Sequence, residues 1–525
     1  MDQIYNKSLA LLVDLEFKNM FLRVLSAVVL TVISLPLVAA DYQDANLSPE
    51  ERVRDLLPRM TLEEKVGQMA QYVGIEHVAK SEKNMSIEEL RRSDARGFYP
   101  NLHSSQMPEV IKSGKVGSFL HVVTAEEANM LQRYAQDSRL GIPLLIGIDA
   151  IHGNALVRGA TVYPAPMSMA STWNLDLVRR ANEETAIEMR ATGSHWSFTP
   201  NIDIARDPRW GRVGETFGED SYLVGEMGVA TIDGLQQGDF TGPTKVIANA
   251  KHWVAGGDPI NGINLSPMDI SIRTLREDFF PPFKRAIDAG VFTFMAAHNE
   301  INGVPAHSNH FILTEVLRDE WGFDGFVVSD WMDVGRLHTF HRTATSPKDA
   351  VRQAVQGGID MHMHGPSFLG PLVELVEEGL ISEERIDRAA ESILLAKFKL
   401  GLFEDPFVDI SLIEQTLFSE KHQQTALDMA REGIVLLTNK NQILPLKQDL
   451  KVFVTGPNAS SDAILGDWVL PQPPENITTV VEGIKSLNVS SVDYLDVGNQ
   501  VKTLSKRDID TASIRAAKAD VAIVV

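Results

Sequence analysis

Cysteine is absent from the 525-residue sequence. The protein can therefore have no disulfide, no thiol nucleophile and no metal site built from thiolates. Positive charge is also scarce, because 49 lysines and arginines stand against 70 aspartates and glutamates, and the net charge is −21. This balance argues against nucleic acids and anionic membranes as partners, and it is compatible with a neutral small-molecule substrate.

The N-terminal region contains no apolar run long enough for a membrane span. Residues 24–38 are mostly apolar but fall short of roughly 18 residues, and they follow a short basic start at Arg23. Small residues ending at Ala40 fit a cleavage site. We predict residues 1–40 to be an N-terminal extension and signal peptide, with export to the periplasm or beyond and no stable membrane insertion after cleavage. Both Met1 and Met20 stay open as the start of translation. An uncleaved anchor is the alternative.

Apolar strand-like runs alternate with helical patterns from residue 115 onward. The predicted strands cover residues 115–123, 142–149, 195–203, 245–253, 291–297, 326–330 and 359–363. The predicted helices cover residues 175–190, 221–236, 272–289, 311–321, 348–356 and 372–400. Alternation of this kind predicts a parallel sheet, and so many repeats favour its closure. The fold class is therefore predicted as α/β, with a (β/α)8-type TIM barrel over residues 41–400.

The pattern changes after residue 400. Residues 401–430 show little periodicity and are predicted to be a linker. A predicted helix over residues 425–437 is followed by the beginning of a second α/β domain, residues 431–525. The sequence stops in an apolar strand, residues 521–525, so we expect this domain to be incomplete in the chain.

Polar side chains recur where the predicted strands end. In a β/α barrel these ends converge on one face, and the active site lies there. The residues are Asp149, Asn201, Lys251, His252, His298, Asp330 and Asp360. One polar strand end can be a helix cap, but seven on one face predict a site for a polar ligand. Asp360, together with Asp203 and His152, is interpreted as structural.

Asp330 directly follows a buried strand and precedes Trp331. Nearby Lys251 and Arg212 would depress the pKa of Asp330 and keep its carboxylate ionised. Such a carboxylate can attack an anomeric carbon in the retaining route of glycoside hydrolysis, and Trp331 offers a flat face to a sugar ring. Neighbouring strand residues point to opposite faces, so both reach one pocket only if the strand ends at Asp330.

Two loops supply further candidates. Asp149, in the glycine-flanked stretch 147–153, can accept hydrogen bonds from two sugar hydroxyls, although a loop-organising aspartate fits equally well. Arg212 is favoured over the other arginines of its loop because the preceding Gly211 allows a close approach of the backbone.

Six stretches resemble glycoside hydrolase family 3, the β-glucosidases and β-glucan exohydrolases, in the branch with a β/α barrel followed by an α/β sandwich. They are residues 147–153, 207–215 with 218–220, 251–253, 302–305, 317–331 and 430–437. The resemblance implies that Asp330 is the nucleophile. It implies that the sugar is held by Asp149, Arg212, Lys251, His252 and Trp331.

One position departs from that family, which often has a tyrosine where this chain has His298. Both side chains can hydrogen-bond but their pKa values differ, and we predict His298 to support substrate binding beside Asp330. The resemblance also implies a glutamate general acid/base from the sandwich domain, downstream of residue 525. None is therefore assigned, and Glu215 and Glu300 are only internal candidates.

The predicted activity is that of an exported, retaining, exo-acting β-glucosidase. It would release glucose from the non-reducing end of β-glucosides or β-glucan oligosaccharides through a covalent glycosyl-aspartate. No cofactor is expected, and no metal, since no carboxylate pattern accompanies His362 and His364. A β-xylosidase of the same family is one alternative, and a sugar-binding protein without turnover is another. The oligomeric state stays open.

Overall fold

The computed structural model describes residues 41–84, 99, 101–498 and 504–525. The predicted signal peptide lies outside these residues. The chain divides into two compact units, residues 1–59 and 60–525. In the first unit, the helix Pro49–Leu56 begins at Ser48, whose hydroxyl accepts the N–H of Glu51. Among the described residues, no helix combines the length and apolarity that a membrane crossing requires.

A closed ring of short parallel strands forms the centre of the second unit. The strands are β1 (Ala70–Val73), β2 (Ser118–Leu120), β3 (Leu145–Ile148), β4 (Trp196–Ser197), β5 (Asn249–Trp253), β6 (Thr293–Ala296), β7 (Phe326–Val328) and β8 (His362–Met363). They pair in the orders β8-β1-β2-β3-β4 and β5-β6-β7. Bridges Trp196–Ile247 and Val328–Met361 join the two arcs into a barrel. The predicted (β/α)8-type barrel is confirmed.

Helices connect the strands. They are Leu62–Gln68, Ile75–Asn84, Met107–Lys112, Ala125–Gln136, Pro166–Thr172, Leu175–Ala191, Ser221–Gln236, Ile272–Thr274, Phe280–Asp288, Asp333–Thr339, Pro347–Gly357, Leu369–Glu377 and Glu383–Lys399. π-Helical segments form Leu275–Phe279 and Phe311–Glu320. The helix predicted over residues 272–289 is thus divided, and a proline pair stands in the first turn of its last segment, where a missing N–H is tolerated.

The barrel and its helices share one continuous apolar core. The ring of Phe198 packs directly against Gly147 in the barrel. A Cβ at Gly147 would lie 2.4 Å from that ring, so the position leaves no room for a side chain. On the far side of the sheet, the ring of Trp253 lies 5.0 Å from those of Phe280 and Phe283. These contacts fix the strands, and with them the polar residues at the strand ends.

The first barrel strand, β1, is missing from the sequence-based prediction, which began at β2. Its residues follow the helix Leu62–Gln68 after the single capping residue Met69. No turn signal separates the two elements, so the apolar pattern of the helix runs directly into that of the strand.

A smaller parallel sheet lies in the C-terminal part of the chain. Strands β9 (Lys451–Thr455), β10 (Ser491–Leu495) and β11 (Val521–Val524) pair in the order β10-β9-β11. Its helices are Val480–Lys485 and Lys506–Ala516, and the preceding helices are Ile413–Thr416 and Glu420–Gly433. The helix predicted over residues 425–437 ends at Gly433, where a Cβ would lie 2.5 Å from the Ser168 hydroxyl. Residues 434–437 are exposed and not helical.

Candidate active site

A cavity of about 380 Å³ opens at the carboxyl ends of the barrel strands. It is lined by His77, His121, Asp149, Arg212, Lys251, His252, Asn264, Leu265, Met295, His298, Asp330, Trp331, Arg336, Met363 and Trp468. The cavity brings together the predicted nucleophile and the six predicted sugar-binding residues: Asp330, Asp149, Arg212, Lys251, His252, His298 and Trp331. Of the seven polar strand-end residues, Asn201 and Asp360 do not line it.

Asp330 lies two residues beyond the end of β7. Its backbone N–H donates to His307 Nε2 at 2.9 Å, and its Oδ1 accepts the N–H of Trp331 at 2.6 Å. Because the strand has already ended, the alternation of side chains no longer applies, and both Asp330 and Trp331 line the cavity. The strand has therefore ended by Asp330, as the sequence analysis required if both residues are to reach one pocket.

The other carboxylate oxygen of Asp330, Oδ2, lies 3.0 Å from His298 Nε2 and 3.6 Å from His252 Nε2. It is buried and, within the described residues, accepts no hydrogen bond of good geometry, so the contact with His298 is a charge interaction. Burial alone would raise the pKa of Asp330, but the adjacent His298 holds that pKa well below its usual range. Arg212 contributes in the same direction.

Lys251, which was expected to act on Asp330, bonds to a different carboxylate of the same cavity. Its Nζ lies 2.6 Å from Asp149 Oδ1, and His121 Nε2 donates to Asp149 Oδ2 at 2.8 Å. Burial would raise the pKa of Asp149, but Lys251 and His121 together lower it to about 2. The cavity therefore has a second ionised carboxylate, paired with two basic side chains.

Lys251 and His252 both line the cavity although they are neighbours on β5. The register between β5 and β6 shifts between Ala250 and Trp253, which interrupts the alternation of side chains. Arg212 Nη2 lies 3.1 Å from His252 Nε2. A guanidinium can only donate, so this nitrogen of His252 accepts.

His252 is consequently neutral, with its proton on Nδ1, which donates to Asp203 at 2.6 Å. Burial and the charge of Arg212 lower the pKa of His252. Arg212 itself forms a two-pronged ion pair with Glu215, at 2.9 and 2.8 Å. Burial would raise the pKa of Glu215, but Arg212 lowers it, so Glu215 does not carry the proton a general acid needs.

His298 lies between two carboxylates. Its Nδ1 donates to Asp333 Oδ2 at 2.6 Å while its Nε2 faces Asp330. Burial would lower the pKa of His298, but the two carboxylates raise it to about 9. His298 is therefore an imidazolium at neutral pH.

Aromatic rings form the other side of the cavity. The ring of His121 stacks on Trp331 with centroids 6.0 Å apart and 24° between planes, and it lies 6.4 Å from Trp468. Lys251 Nζ lies 5.6 Å from the Trp468 ring. Sequence reasoning missed both His121 and Trp468. His121 directly follows β2 and fits the strand-end rule, whereas Trp468 comes from the segment after β9, where no periodic signal marks it.

The remaining candidates lie elsewhere. Asp360 pairs with Arg318 and Arg385, so the structural interpretation fits it. Glu300 accepts a hydrogen bond from His341 at 2.6 Å and does not line the cavity.

His362 of β8 and His364, which directly follows β8, also have separate surroundings. His364 Nδ1 lies 3.0 Å from the Tyr99 hydroxyl, and the His364 ring lies 4.2 Å from Trp331. The ring of His362 stacks on Phe368 at 5.0 Å. Within the described chain, these two residues are not part of a set of three groups that could hold a metal.

A β/α barrel with charged strand ends and tryptophans around a cavity defines a class of proteins that act on small polar ligands. The model of the Glycosyl hydrolase family 3 N terminal domain matches residues 61–396, and that of the family's C-terminal domain matches residues 434–525. The chain belongs to glycosyl hydrolase family 3.

Relatives in that family carry two kinds of name. The chain is 33% identical over 510 residues to a periplasmic beta-glucosidase of Salmonella typhimurium, covering 91% of this chain and 63% of that protein. It is 36% identical over 435 residues to a putative beta-xylosidase of Formosa agariphila, covering 80% and 55%.

Solved structures give the same result for the fold. A beta-glucosidase from Listeria innocua in complex with glucose superposes with a TM-score of 0.79 at 31% identity, covering 90% of this chain and 63% of that one. The chain thus spans less than two thirds of the length of these relatives.

Proposed function

We propose that this chain forms the sugar-binding and nucleophile-bearing part of a retaining, exo-acting β-glucosidase. It would release glucose from the non-reducing end of β-glucosides or β-glucan oligosaccharides. The observation that carries this proposal is Asp330, an ionised carboxylate at a strand end with one oxygen buried against an imidazolium. Membership in a family of glycosyl hydrolases supports the reaction class.

The arrangement around Asp330 suits a displacement at an anomeric carbon. We infer that Oδ1, which accepts the N–H of Trp331, is the attacking oxygen, because Oδ2 is buried beside His298. A bond from Oδ1 to the anomeric carbon forms while the bond to the aglycone oxygen breaks, and the aglycone leaves with the electron pair. Water then attacks the same carbon, and the bond from that carbon to Oδ1 breaks with its electron pair returning to the Asp330 carboxylate. The proton lost by the attacking water passes to solvent, and glucose is released with retained configuration.

The polar wall of the cavity suits a neutral ligand rich in hydroxyls. Asp149 and Lys251 are both less than a tenth exposed and offer an acceptor and donors side by side. Arg212 and His252 add two more polar groups on the neighbouring side of the cavity. Buried polar groups need partners, and sugar hydroxyls both donate and accept. A cavity of about 380 Å³ is at the small end of ligand sites, which supports binding of a terminal sugar and exo action.

The choice between glucose and xylose rests on the hydroxymethyl group at C6. Relatives named beta-glucosidase and relatives named beta-xylosidase both match the chain, so the rival within the family is a β-xylosidase. Discrimination of one small group in a pocket is worth about 10–200-fold in kcat/KM. We expect matched nitrophenyl glucosides and xylosides to differ by this factor in favour of glucose. A preference for the xyloside would favour a β-xylosidase over the proposed β-glucosidase.

The decisive experiment uses a 2-deoxy-2-fluoro glucoside with a dinitrophenolate leaving group, which needs no general acid. Intact mass and peptide mapping should find one fluoroglucosyl adduct, on the peptide containing Asp330. The Asp330→Asn variant is the matched control and should stay unlabelled. A folded wild-type chain that forms no adduct with the glucose or the xylose probe would contradict the proposed nucleophile.

A second candidate, a sugar-binding protein without turnover, has one observation in its favour. Among the described residues that line the cavity, the carboxylates are Asp149 and Asp330, and both have lowered pKa values. Neither can protonate a leaving group. Hydrolysis of aryl glucosides with acidic phenols but not of cellobiose would indicate an enzyme without its acid. Glucose binding with no hydrolysis of either substrate would favour the binding protein.

We also propose that the protein is exported, with cleavage after Ala40. The basic start, the apolar run and the small residues before Asp41 support this, as does a relative named periplasmic. N-terminal sequencing of protein from a periplasmic extract should begin at Asp41. A mature protein that retains residues 20–40 would contradict cleavage.

A further inference from the structure

The nucleophile proposed above has an unusual neighbour in His298, the position where the sequence departs from a tyrosine. The side chain of His298 is 14% exposed and contacts two carboxylates, Asp330 at 3.0 Å and Asp333 at 2.6 Å. Asp333 is fully buried and also accepts a hydrogen bond from Arg336 Nη1 at 2.7 Å. Anion and cation therefore alternate from Asp330 through His298 and Asp333 to Arg336.

Two more histidines face this row of charges. The ring of His252 stacks 6.1 Å from that of His298 at 24°, but His252 is neutral for the reasons given above. His307 Nδ1 lies 3.5 Å from Asp333, while its Nε2 accepts the N–H of Asp330. Burial lowers the pKa of His307 to about 4, so it carries no charge at neutral pH.

The charges around the two carboxylates balance only if His298 holds a proton. Asp333 has Arg336 as a second cation, whereas Oδ2 of Asp330 has His298 as its nearest positive group. With a neutral His298, two buried carboxylates would lie on either side of an uncharged ring, and one of them would tend to take up a proton. A proton on Asp330 would remove the nucleophile.

We propose that His298, held by Asp333, is a positioning residue that stays protonated while the nucleophile reacts, holding Oδ2 of Asp330 so that Oδ1 attacks. The inference rests on the proposed function in one respect, that Asp330 is the nucleophile. When the bond from Oδ1 to the sugar forms, Oδ2 becomes the carbonyl oxygen of the ester, and the N–H of His298 faces it. Asp333 acts through His298 and touches no substrate.

Two opposite shifts in pH dependence follow. His298→Gln keeps a neutral N–H donor but removes the charge, so the pKa of Asp330 rises, and the acid limb of the kcat/KM profile moves up by about one pH unit or more. Asp333→Asn removes the anion that keeps His298 protonated, so the alkaline limb moves down by a similar amount.

The test measures these profiles with a dinitrophenyl glucoside. His310→Gln is the matched control, because the His310 side chain is exposed and faces Glu315. It should leave both limbs in place. A purely structural role for His298 and Asp333 predicts lower rates with unmoved limbs, and that result would overturn the inference. The two variants act on different limbs, so failure of one to fold still leaves the other.

A second measurement does not depend on turnover. Histidine-selective NMR of the free protein should show one ring titrating near pH 9, absent in His298→Gln and shifted to lower pH in Asp330→Asn and in Asp333→Asn. Titration of His298 below its ordinary value of 6.5 would overturn the inference whether or not glucosides are hydrolysed. Titration near pH 9 in a protein that neither labels nor hydrolyses would instead refute the proposed function alone.

One further outcome concerns metal binding. His298, Asp330 and Asp333 form the one group of three within the described chain whose donor atoms lie within 4.8 Å of one another. A metal ion there would need a deprotonated His298. Loss of activity on chelation, restored by a divalent cation, would therefore overturn the inference. We expect activity to be insensitive to chelators.

Discussion

Replacement of Lys251 by methionine should destabilise the protein strongly, and the loss should depend on pH. Lys251 is 1% exposed and its Nζ lies 2.6 Å from Asp149, which is itself 6% exposed. Methionine keeps the apolar part of the side chain but leaves Asp149 with His121 as its remaining basic partner. Removing one member of a buried ion pair costs about 3–5 kcal/mol, because the other charge stays buried.

The pKa of Asp149 gives an independent magnitude. Holding that pKa near 2, below the ordinary 3.8, corresponds to about 2–3 kcal/mol at neutral pH. Since the folded pKa is depressed, this stabilisation is present above the ordinary pKa and is lost as the pH falls through the folded value. In Lys251→Met the pKa of Asp149 rises, so the carboxyl takes up a proton in mild acid. The variant should therefore lose less stability at pH 4.5 than at pH 7.

The assay is urea unfolding followed by tryptophan fluorescence at both pH values. Lys251→Met combined with Asp149→Asn removes both charges and should cost less than Lys251→Met alone. Arg276→Met breaks an exposed pair with Glu320 and should cost only about 0–1 kcal/mol. The reasoning would be refuted if Lys251→Met cost no more than Arg276→Met, or if its cost were the same at pH 4.5 and pH 7.

Three other substitutions have defined outcomes. Asp330→Asn should lower turnover of aryl glucosides by about 10⁴-fold or more while circular dichroism stays unchanged, and near-wild-type activity would be inconsistent with a nucleophile. Trp468→Ala should raise KM about three- to tenfold with a smaller effect on kcat, because it removes a ring from the cavity wall; an unchanged KM would show that Trp468 does not contact substrate. Lys397 is buried, and burial lowers its pKa to about 7, so the unfolded chain binds more protons at this residue between pH 7 and 10.5. Below about pH 9 the raised pKa of His298 acts in the opposite direction, so wild-type stability should rise with pH between about 9 and 10.5. Lys397→Met should abolish this rise in thermal unfolding, and a rise that persisted would point to another group.

Most polar residues of the cavity could be predicted from the sequence because they lie at strand ends, and a barrel places all its strand ends at one face. Each polar residue at a strand end can be found within its own stretch of sequence. Barrel closure then brings those stretches to one face, whatever their separation along the chain. Asp149, Lys251 and Asp330 come from different strands and line one cavity. The same rule would have predicted His121, which directly follows β2. It was missed because the predicted strand, residues 115–123, extended beyond Leu120, where β2 ends.

Pairings between those residues were less predictable, because they depend on side-chain directions that no local pattern contains. The sequence placed Lys251 beside the nucleophile, yet Lys251 bonds to Asp149. The irregular register between β5 and β6 decides which way Lys251 and His252 point. Trp468 poses a harder problem, since it reaches the cavity from outside the barrel. Neither strand periodicity nor barrel geometry predicts such a contact.

Asp333 shows how an ordinary sequence position can have a second role. It opens the helix Asp333–Thr339, where an acidic residue is expected because it complements the helix dipole. That explanation is sufficient for the sequence, and it gives no reason to look further. An acidic residue that only served the helix would remain in solvent, whereas Asp333 is fully buried and lies 2.6 Å from His298. The charge of the group beside the nucleophile is therefore set by a residue three positions downstream, and burial is the observation that distinguishes the two roles.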